Sequence, residues 1–358
     1  MGSCTTTGGR SPAVGRPRAS GAIMANNRQI LVKELPEGPL EERHFELREA
    51  PIPTPDAGEV LTRTIYLSLD PANRAWMRGA TYRAPVEAGD VMAGFTVAQV
   101  IDSRDPGFRP GELVECESGW QEHAVHPARA LRRLERRGPL SHHLSALGIT
   151  GLTAYFGLLE IGRPRAGETV VVSAAAGATG SVAGQISRIR GCRTVGLAGS
   201  DDKCAWLTEE LGFDSAINYK TEKARPALKE HCPGGIDIYF DNTGGEILEA
   251  ALFRMNLHGR VVCCGAISQY DTATPAPGPR GVPGLIVTKR LRVEGFLVSD
   301  FFRHRAEATD QLARWIADGQ LVVREEILEG LEAAPRGLIG LLHGENFGKR
   351  MVRVAPEP

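Results

Sequence analysis

The sequence predicts an α/β fold in which a doubly wound parallel sheet is joined to a β-rich second domain that the chain leaves and later re-enters. Three observations predict it. From about Arg28 to Ala146, short apolar runs such as EVLTRTIYLSLDP, DVMAGFTVAQVIDS and GELVECESGWQEHAV are cut by turn residues, the texture of a compact all-β unit. From Thr169 the strands TVVVSA, TVGLA, SAINY, IDIYFDN, RVVCCG and RVEGFLVS are near-continuously apolar, as strands buried on both faces must be, and helix-length segments separate them. After the helical EATDQLARWIADGQ the texture reverts to two strand-like segments, VVREEILEG and NFGKRMVRV, which read as a return to the first domain.

Taken in order, residues 1–23 are rich in Gly, Ser, Thr, Pro and Arg and hold no apolar stretch long enough for a signal peptide. They read as a disordered leader, with a transit peptide as the alternative. Residues 24–148 form the first domain, with turns at Pro53-Thr54-Pro55, Gly89-Asp90 and Pro106-Gly107. Residues 149–320 carry the parallel sheet, in which SVAGQISRIRG sets Val182, Ile186 and Ile189 on one helical stripe and ends at Gly191. Residues 321–358 complete the first domain. Lys and Arg total 42 against 43 Asp and Glu, so no global field gathers nucleic acid or an anionic membrane. No run of about eighteen uncharged apolar residues is present to span a bilayer. Seven cysteines without a C-x-x-C suit a reducing compartment, and the cytoplasm is the default.

The stretch TVVVSAAAGATGS carries the chemistry. Its Ala175-Ala176-Gly177-Ala178-Thr179-Gly180 fits the dinucleotide template G-x-G-x-x-G with alanine in the first glycine's place. Gly177 lets the backbone approach a pyrophosphate, Gly180 lets helix and strand pack closely, and the helix N-terminus at Ala178 and Thr179 faces the negative charge. The next strand ends in Leu197-Ala198-Gly199-Ser200, where an NAD site would place a carboxylate on the ribose 2′-hydroxyl. Small residues followed by Lys203 favour a 2′-phosphate, and so NADPH; the other reading of Lys203 is a plain surface lysine. Asp201 and Asp202 fit the start of the following helix, where carboxylates are favoured in any case.

In that order and spacing, AAAGATGSVAGQ, GSDDKCAWLTEELGFDSAINYK, YFDNTGGE, CGAISQY and GENFGK resemble the zinc-independent prostaglandin reductase and leukotriene 12-hydroxydehydrogenase branch of the medium-chain dehydrogenase/reductase superfamily. LSLDPANRAWM resembles that branch's LSxDPxxR segment, and the likeness covers essentially everything from Met24. It implies a GroES-like catalytic domain closed by the C-terminal segment, a Rossmann domain, NADPH in the cleft between them, and a homodimer. By motif matching, Gly177 through Gly180 meet the pyrophosphate, and Ser200 and Lys203 meet the 2′-phosphate. Tyr219 and Asn242 line the adenosine and ribose side. Cys264, Gly265, Ala266, Ile267, Ser268 and Tyr270 surround the nicotinamide half, together with Phe296, Leu297, Val298 and Asn346. The plainer readings make Tyr219 and Phe296 core aromatics and Asn242 and Asn346 turn formers. The chain departs from the family at Ala72 and Asn73, where an aromatic residue often follows DP, which points to a reshaped substrate pocket.

No metal is expected. A catalytic zinc takes three protein ligands and a structural one four. Gly94-Phe95-Thr96 stands where zinc-using relatives place a His-Glu pair, and His123, His126, His142 and His143 have no companion cysteines. Cys263-Cys264 ends a buried strand without a basic neighbour and reads as small core residues. Without a Lewis acid, hydride addition to an isolated ketone is harder. A conjugated enal or enone instead accepts hydride at its β-carbon and leaves charge on an enolate oxygen, which needs only a hydrogen bond. Tyr270 is the candidate donor, worth a few kcal/mol in the transition state; its other reading is a solvent-facing tyrosine in the Pro/Gly-rich crossover SQYDTATPAPGPRGVPG. The α-carbon proton comes from Tyr270 or from water. The expected activity is NADPH-dependent reduction of the C=C bond of α,β-unsaturated aldehydes and ketones. The alternatives are an NADPH quinone oxidoreductase and a catalytically idle NADPH-binding sensor.

Overall fold

The structure, a computed structural model, describes residues 26–358 apart from 80 and 276; the leader read from the sequence lies outside the described residues. The first domain opens with an antiparallel pair, β1 (Asn26–Val32) and β2 (Phe45–Pro51). There follow β3 (Glu59–Ser68), the short helix α1 (Pro71–Trp76), β4 (Thr96–Ser103), β5 (Leu113–Cys116), β6 (His123–Pro127) and β7 (Arg132–Arg133). Helix α2 (Ile149–Phe156) leads into the second half.

There β8 (Thr169–Val172), α3 (Ala178–Ile189), β9 (Arg193–Ala198), α4 (Asp201–Ala205), β10 (Ser215–Asn218), α5 (Ala224–His231), β11 (Ile236–Asp241), α6 (Gly245–Arg254), β12 (Met255–Cys263), α7 (Val282–Lys289) and β13 (Arg292–Gly295) alternate. Their six strands pair in parallel in the order β10-β9-β8-β11-β12-β13, so the order reverses between β8 and β11. This is the switch point at which doubly wound sheets open a crevice at their strands' carboxyl ends. Side chains alternate between two cores. Val170, Val172, Ile238 and Phe240 pack on one face beneath α2, α3 and α8 (Arg305–Ala317), while Val171, Val195, Ile217 and Tyr239 pack on the other. RVEGFLVS departs from its reading as a strand buried on both faces. Only Arg292–Gly295 is extended, it forms the sheet's edge, and Val293 and Leu297 are each 41% exposed. With one neighbour instead of two, an edge strand meets solvent that central strands do not.

The chain then re-enters the first domain through β14 (Glu325–Glu329), α9 (Ala334–Leu342) and β15 (Lys349–Arg353). β15 lies antiparallel to β3, Met351 opposite Ser68, and completes a seven-stranded sheet in the order β14-β15-β3-β4-β5-β7, with β6 pairing the first half of β3 on the flank that β15 also uses. The fold is thus a Rossmann-type sheet plus a discontinuous β-rich domain.

An ionic cluster joins the halves on the side of α8. Glu115 of β5 receives Arg132 and, from α8, Arg305, with His143 at 3.6 Å. Burial pushes the Glu115 carboxyl up, but the hydrogen bonds from His143 and Arg132 and the charge of Arg305 outweigh it and hold it down at about 2. A carboxyl lowered from the ordinary 4.5 stabilises the fold above that pH and loses its contribution as pH falls toward 2. Glu115→Gln is expected to cost about 2–3 kcal/mol near neutrality, with the gap from wild type closing as the buffer is taken from pH 5 toward 2. Calorimetric melts across that range check it, and a gap that stays constant removes the assigned role.

Candidate active site

Because all six strands run the same way, their carboxyl ends lie along one edge of the sheet. Ser173, Gly199, Asn242, Cys264 and Phe296 leave β8, β9, β11, β12 and β13 there, with Asp241 beside Cys263 and Cys263 beside Gly295 in register. The candidate residues scattered through the second half of the sequence are gathered by this one property.

The phosphate turn runs from Ser173 to Gly180. Gly177 caps α3 with no side-chain bond, and among the described residues the backbone N–H groups of Ala178, Thr179 and Gly180 have no partner, which leaves three donors at the helix's positive end. A Cβ at Gly180 would lie 2.3 Å from the Ala174 carbonyl oxygen, so only glycine lets the helix approach the turn. The left-handed residue is Ala174, φ 47, a strain that functional turns often carry. At the tip of β9 no carboxylate faces the cleft. Gly199 is overhung by the Tyr219 hydroxyl, 2.9 Å from where a Cβ would sit, and by Lys220 Cε at 3.3 Å. Ser200 spends its hydroxyl accepting the Lys203 N–H at 3.3 Å, and Asp201 accepts the Asn218 side-chain amide at 2.7 Å. Burial raises the Tyr219 phenol.

Lys203 is not a surface lysine. It is 8% exposed, its Nζ donates to the Gly344 carbonyl at 2.6 Å, and it lies 5.4 Å from the Phe347 ring centroid. Burial lowers its pKa. Arg324 stacks on the same Phe347 ring at 4.1 Å, has no carboxylate partner among the described residues, and lines a small cavity with Ala178 and Ser181. A bare helix N-terminus, a strand tip without a carboxylate and three nearby cations fit a dinucleotide carrying an extra phosphate.

Asn242 joins the phosphate turn to the segment after β12. Its N–H donates to Ser173 Oγ at 2.8 Å and its Nδ2 to Ser173 O at 2.7 Å, while its carbonyl accepts Ile267 N–H at 3.2 Å. Cys264 and Gly265 N–H both donate to Asp241 O, and Ser268 N–H donates to Thr243 O, so the chain from Cys264 to Ser268 lies zipped along Asp241–Thr243. Tyr270 follows as the end of a 3-10 turn, not a loose crossover, and its hydroxyl accepts the Ala266 N–H at 3.0 Å. With one lone pair so engaged, the hydroxyl proton points elsewhere. Phe296 is partly buried and packs against the core, with Phe301 at 6.3 Å, in space left by Gly157, where a Cβ would lie 2.5 Å from its ring. Leu297 is exposed and Val298 packs against the same core. Asn346 is buried and donates to Gly348 O in its own turn at 2.9 Å.

The first domain closes the cleft. Asp70 caps α1 in a reciprocal box with Asn73, whose Nδ2 also donates to Ala93 O at 2.8 Å. Asn73 is therefore a buried capping residue, and the partly buried Ala72 packs against the core beneath α1. Tyr82 lies within electrostatic reach of Asp70 and Tyr270, its hydroxyl accepting Trp76 Nε1 at 3.3 Å. Burial raises its pKa, and Asp70 and Tyr270 add to the rise.

Residues 28–134 match the family described as N-terminal domain of oxidoreductase, and residues 178–318 the family described as zinc-binding dehydrogenase. An NADPH-dependent curcumin reductase of Escherichia coli is 41% identical over 92% of this chain and 97% of its own length. An NADP-dependent 2-alkenal reductase of Nicotiana tabacum is 40% identical over 93% and 98%. The chain belongs to the zinc-independent alkenal-reductase branch of the medium-chain dehydrogenase/reductase family. The crystal structure of CurA from Vibrio vulnificus in complex with NADPH superposes with a TM-score of 0.87 at 38% identity, covering 92% of this chain and all of that one.

Among the described residues no group of three or more His, Cys, Asp and Glu is placed to hold a metal ion. His126 Nε2 instead meets Ser118 Oγ at 3.1 Å inside β-sheet packing, and a Cβ at Gly94 would lie 2.8 Å from Leu67. Cys263 and Cys264 are partly buried, and burial pushes their thiols up to about 11 and about 12. Sequence reasoning missed Lys220, Arg324, Arg74 and Asp271. Lys220 directly follows a chosen residue and its charge beside Tyr219 was the available signal; the others meet the site only through long-range packing.

Proposed function

We propose that the chain reduces the carbon–carbon double bond of α,β-unsaturated aldehydes and ketones with NADPH. The observation that carries this reading is the Tyr270 hydroxyl, oriented by Ala266 N–H and set at the carboxyl edge in a segment zipped to Asn242 beside the phosphate turn. NADPH, when bound, supplies the hydride for the β-carbon, which leaves the substrate's charge on its carbonyl oxygen. Tyr270 donates its free proton in a hydrogen bond to that oxygen, and the enolate then collapses as its α-carbon takes a proton from Tyr270 or from water. Lys203, with Lys220 beside it, takes the 2′-phosphate, and Ala178, Thr179 and Gly180 present their N–H groups to the pyrophosphate. The exposed Tyr82, held edge-on against the buried Trp76, offers an aromatic face to a flat conjugated substrate.

Two further proposals rest on single features. The edge strand β13 and the helix α7, none of whose residues is buried and whose Val287 is 72% exposed, leave an apolar edge suited to a second copy of the chain. Light scattering at micromolar protein should then read the mass of two chains, and a one-chain mass counts against it. The described cysteines are all free thiols, in keeping with the cytoplasm. No helix among the described residues is long and apolar enough to cross a membrane.

Tyr270→Phe keeps the ring and removes the donor, so kcat for a good enone should fall about a hundredfold while NADPH affinity holds. Single-turnover reduction across enals, enones, quinones and saturated ketones tests both residue and reaction. Fast quinone turnover with inert enones would falsify the assignment. Lys203→Ala should weaken NADPH by about 1.5–3 kcal/mol and leave NADH nearly unchanged, as read by calorimetric titration. Equal losses for the two would detach Lys203 from the phosphate.

A further inference from the structure

Two arginines, Arg74 in helix α1 and Arg78 two residues past its end, reach across to the second domain. Arg74 is 1% exposed, and its Nε donates to Asp271 Oδ1 at 2.9 Å while its Nη2 donates to the Gly38 carbonyl at 2.7 Å. The same Asp271 Oδ1 accepts the Leu40 N–H at 2.8 Å. Arg78, one turn on, donates to the Gln269 carbonyl at 2.6 Å. The residues immediately before and after Tyr270 are therefore each held by an arginine of the opposite domain. Helix α1 is itself anchored at its start, because Lys349 Nζ donates to Asp70 Oδ1 at 2.5 Å and to Leu69 O at 2.9 Å.

We infer that Arg74 and Asp271 form a clamp between the domains that positions Tyr270 for proton donation. A buried ion pair is an inefficient way to gain stability, since desolvation consumes most of its attraction. What it does supply is direction: a planar guanidinium fixed to one carboxylate oxygen sets the register of the turn that bears the tyrosine. Arg74 and Asp271 touch no reacting atom and act through Tyr270, so the inference rests on the reading of Tyr270 as donor.

The test uses full-length protein labelled with 3-fluorotyrosine, without cofactor, alongside kinetics. The chain has six tyrosines, and the Tyr270 fluorine line is the one missing from Tyr270→Phe. In Asp271→Ala that line should shift or broaden while the other five hold. Enone kcat should fall about ten- to a hundredfold with KM for NADPH unchanged. Asp271→Asn, which keeps an oxygen acceptor, should recover most of the rate, and Arg74→Lys should lie between. In a Tyr270→Phe background Asp271→Ala should cost little more. An unmoved Tyr270 line with full kcat overturns the clamp. So does a loss spread over all tyrosine lines and over NADPH affinity, which marks a merely structural pair. If Tyr270→Phe itself keeps full activity, the donor reading fails, and the fluorine line still decides whether the clamp holds the turn.

Discussion

The site is referenced to one backbone contact, the Gly348 N–H donating to the Ala176 carbonyl at 2.8 Å. It is where the returning C-terminal segment touches the phosphate turn, and it requires glycine: Gly348 has φ 59, and a Cβ there would lie 2.1 Å from the Arg324 carbonyl oxygen. From this point the chain runs in both directions into the machinery. Upstream, Gly344 takes the Lys203 ammonium and Phe347 lies against Lys203 and Arg324. Downstream, Lys349 reaches Asp70 and so fixes the start of α1. The surroundings of Lys203 and the start of α1 are therefore tied to one segment only a few residues long.

The second half of the fold was legible because its information is local. A β-branched run ending in small residues and a helical stripe says strand, turn and helix without reference to distant chain, and Asp201 and Asp202 do lie in the first turn of α4. The return of VVREEILEG and NFGKRMVRV to the first domain was legible from texture, although the partner of NFGKRMVRV, the strand β3, was not. What stayed hidden depends on sequence separation. Arg74 and Asp271 are 197 residues apart, Lys203 and Gly344 are 141, and Lys349 and Asp70 are 279, and no periodicity carries such pairings.

The misreadings have a shared physical cause. RVEGFLVS is apolar enough for a central strand, but its place at the edge is fixed by which neighbours pair, not by its composition. The family pattern gives Asn73 a position without a direction, and the structure adds that its amide is consumed by the cap of α1 and by Ala93. Lys203 could be read as an exposed lysine until the C-terminal segment folded over it.

The raised thiols at the end of β12 bear on the protein's working life. Conjugated carbonyls alkylate thiolates, so a protein that gathers them for turnover exposes its own sulfur to each one. A thiol held near 11, as Cys204, Cys232 and Cys263 are, is about one part in ten thousand ionised at neutral pH, and Cys264, near 12, less still. The packing that leaves Cys263 and Cys264 only partly exposed thus also disfavours their thiolates, the form that conjugated carbonyls alkylate.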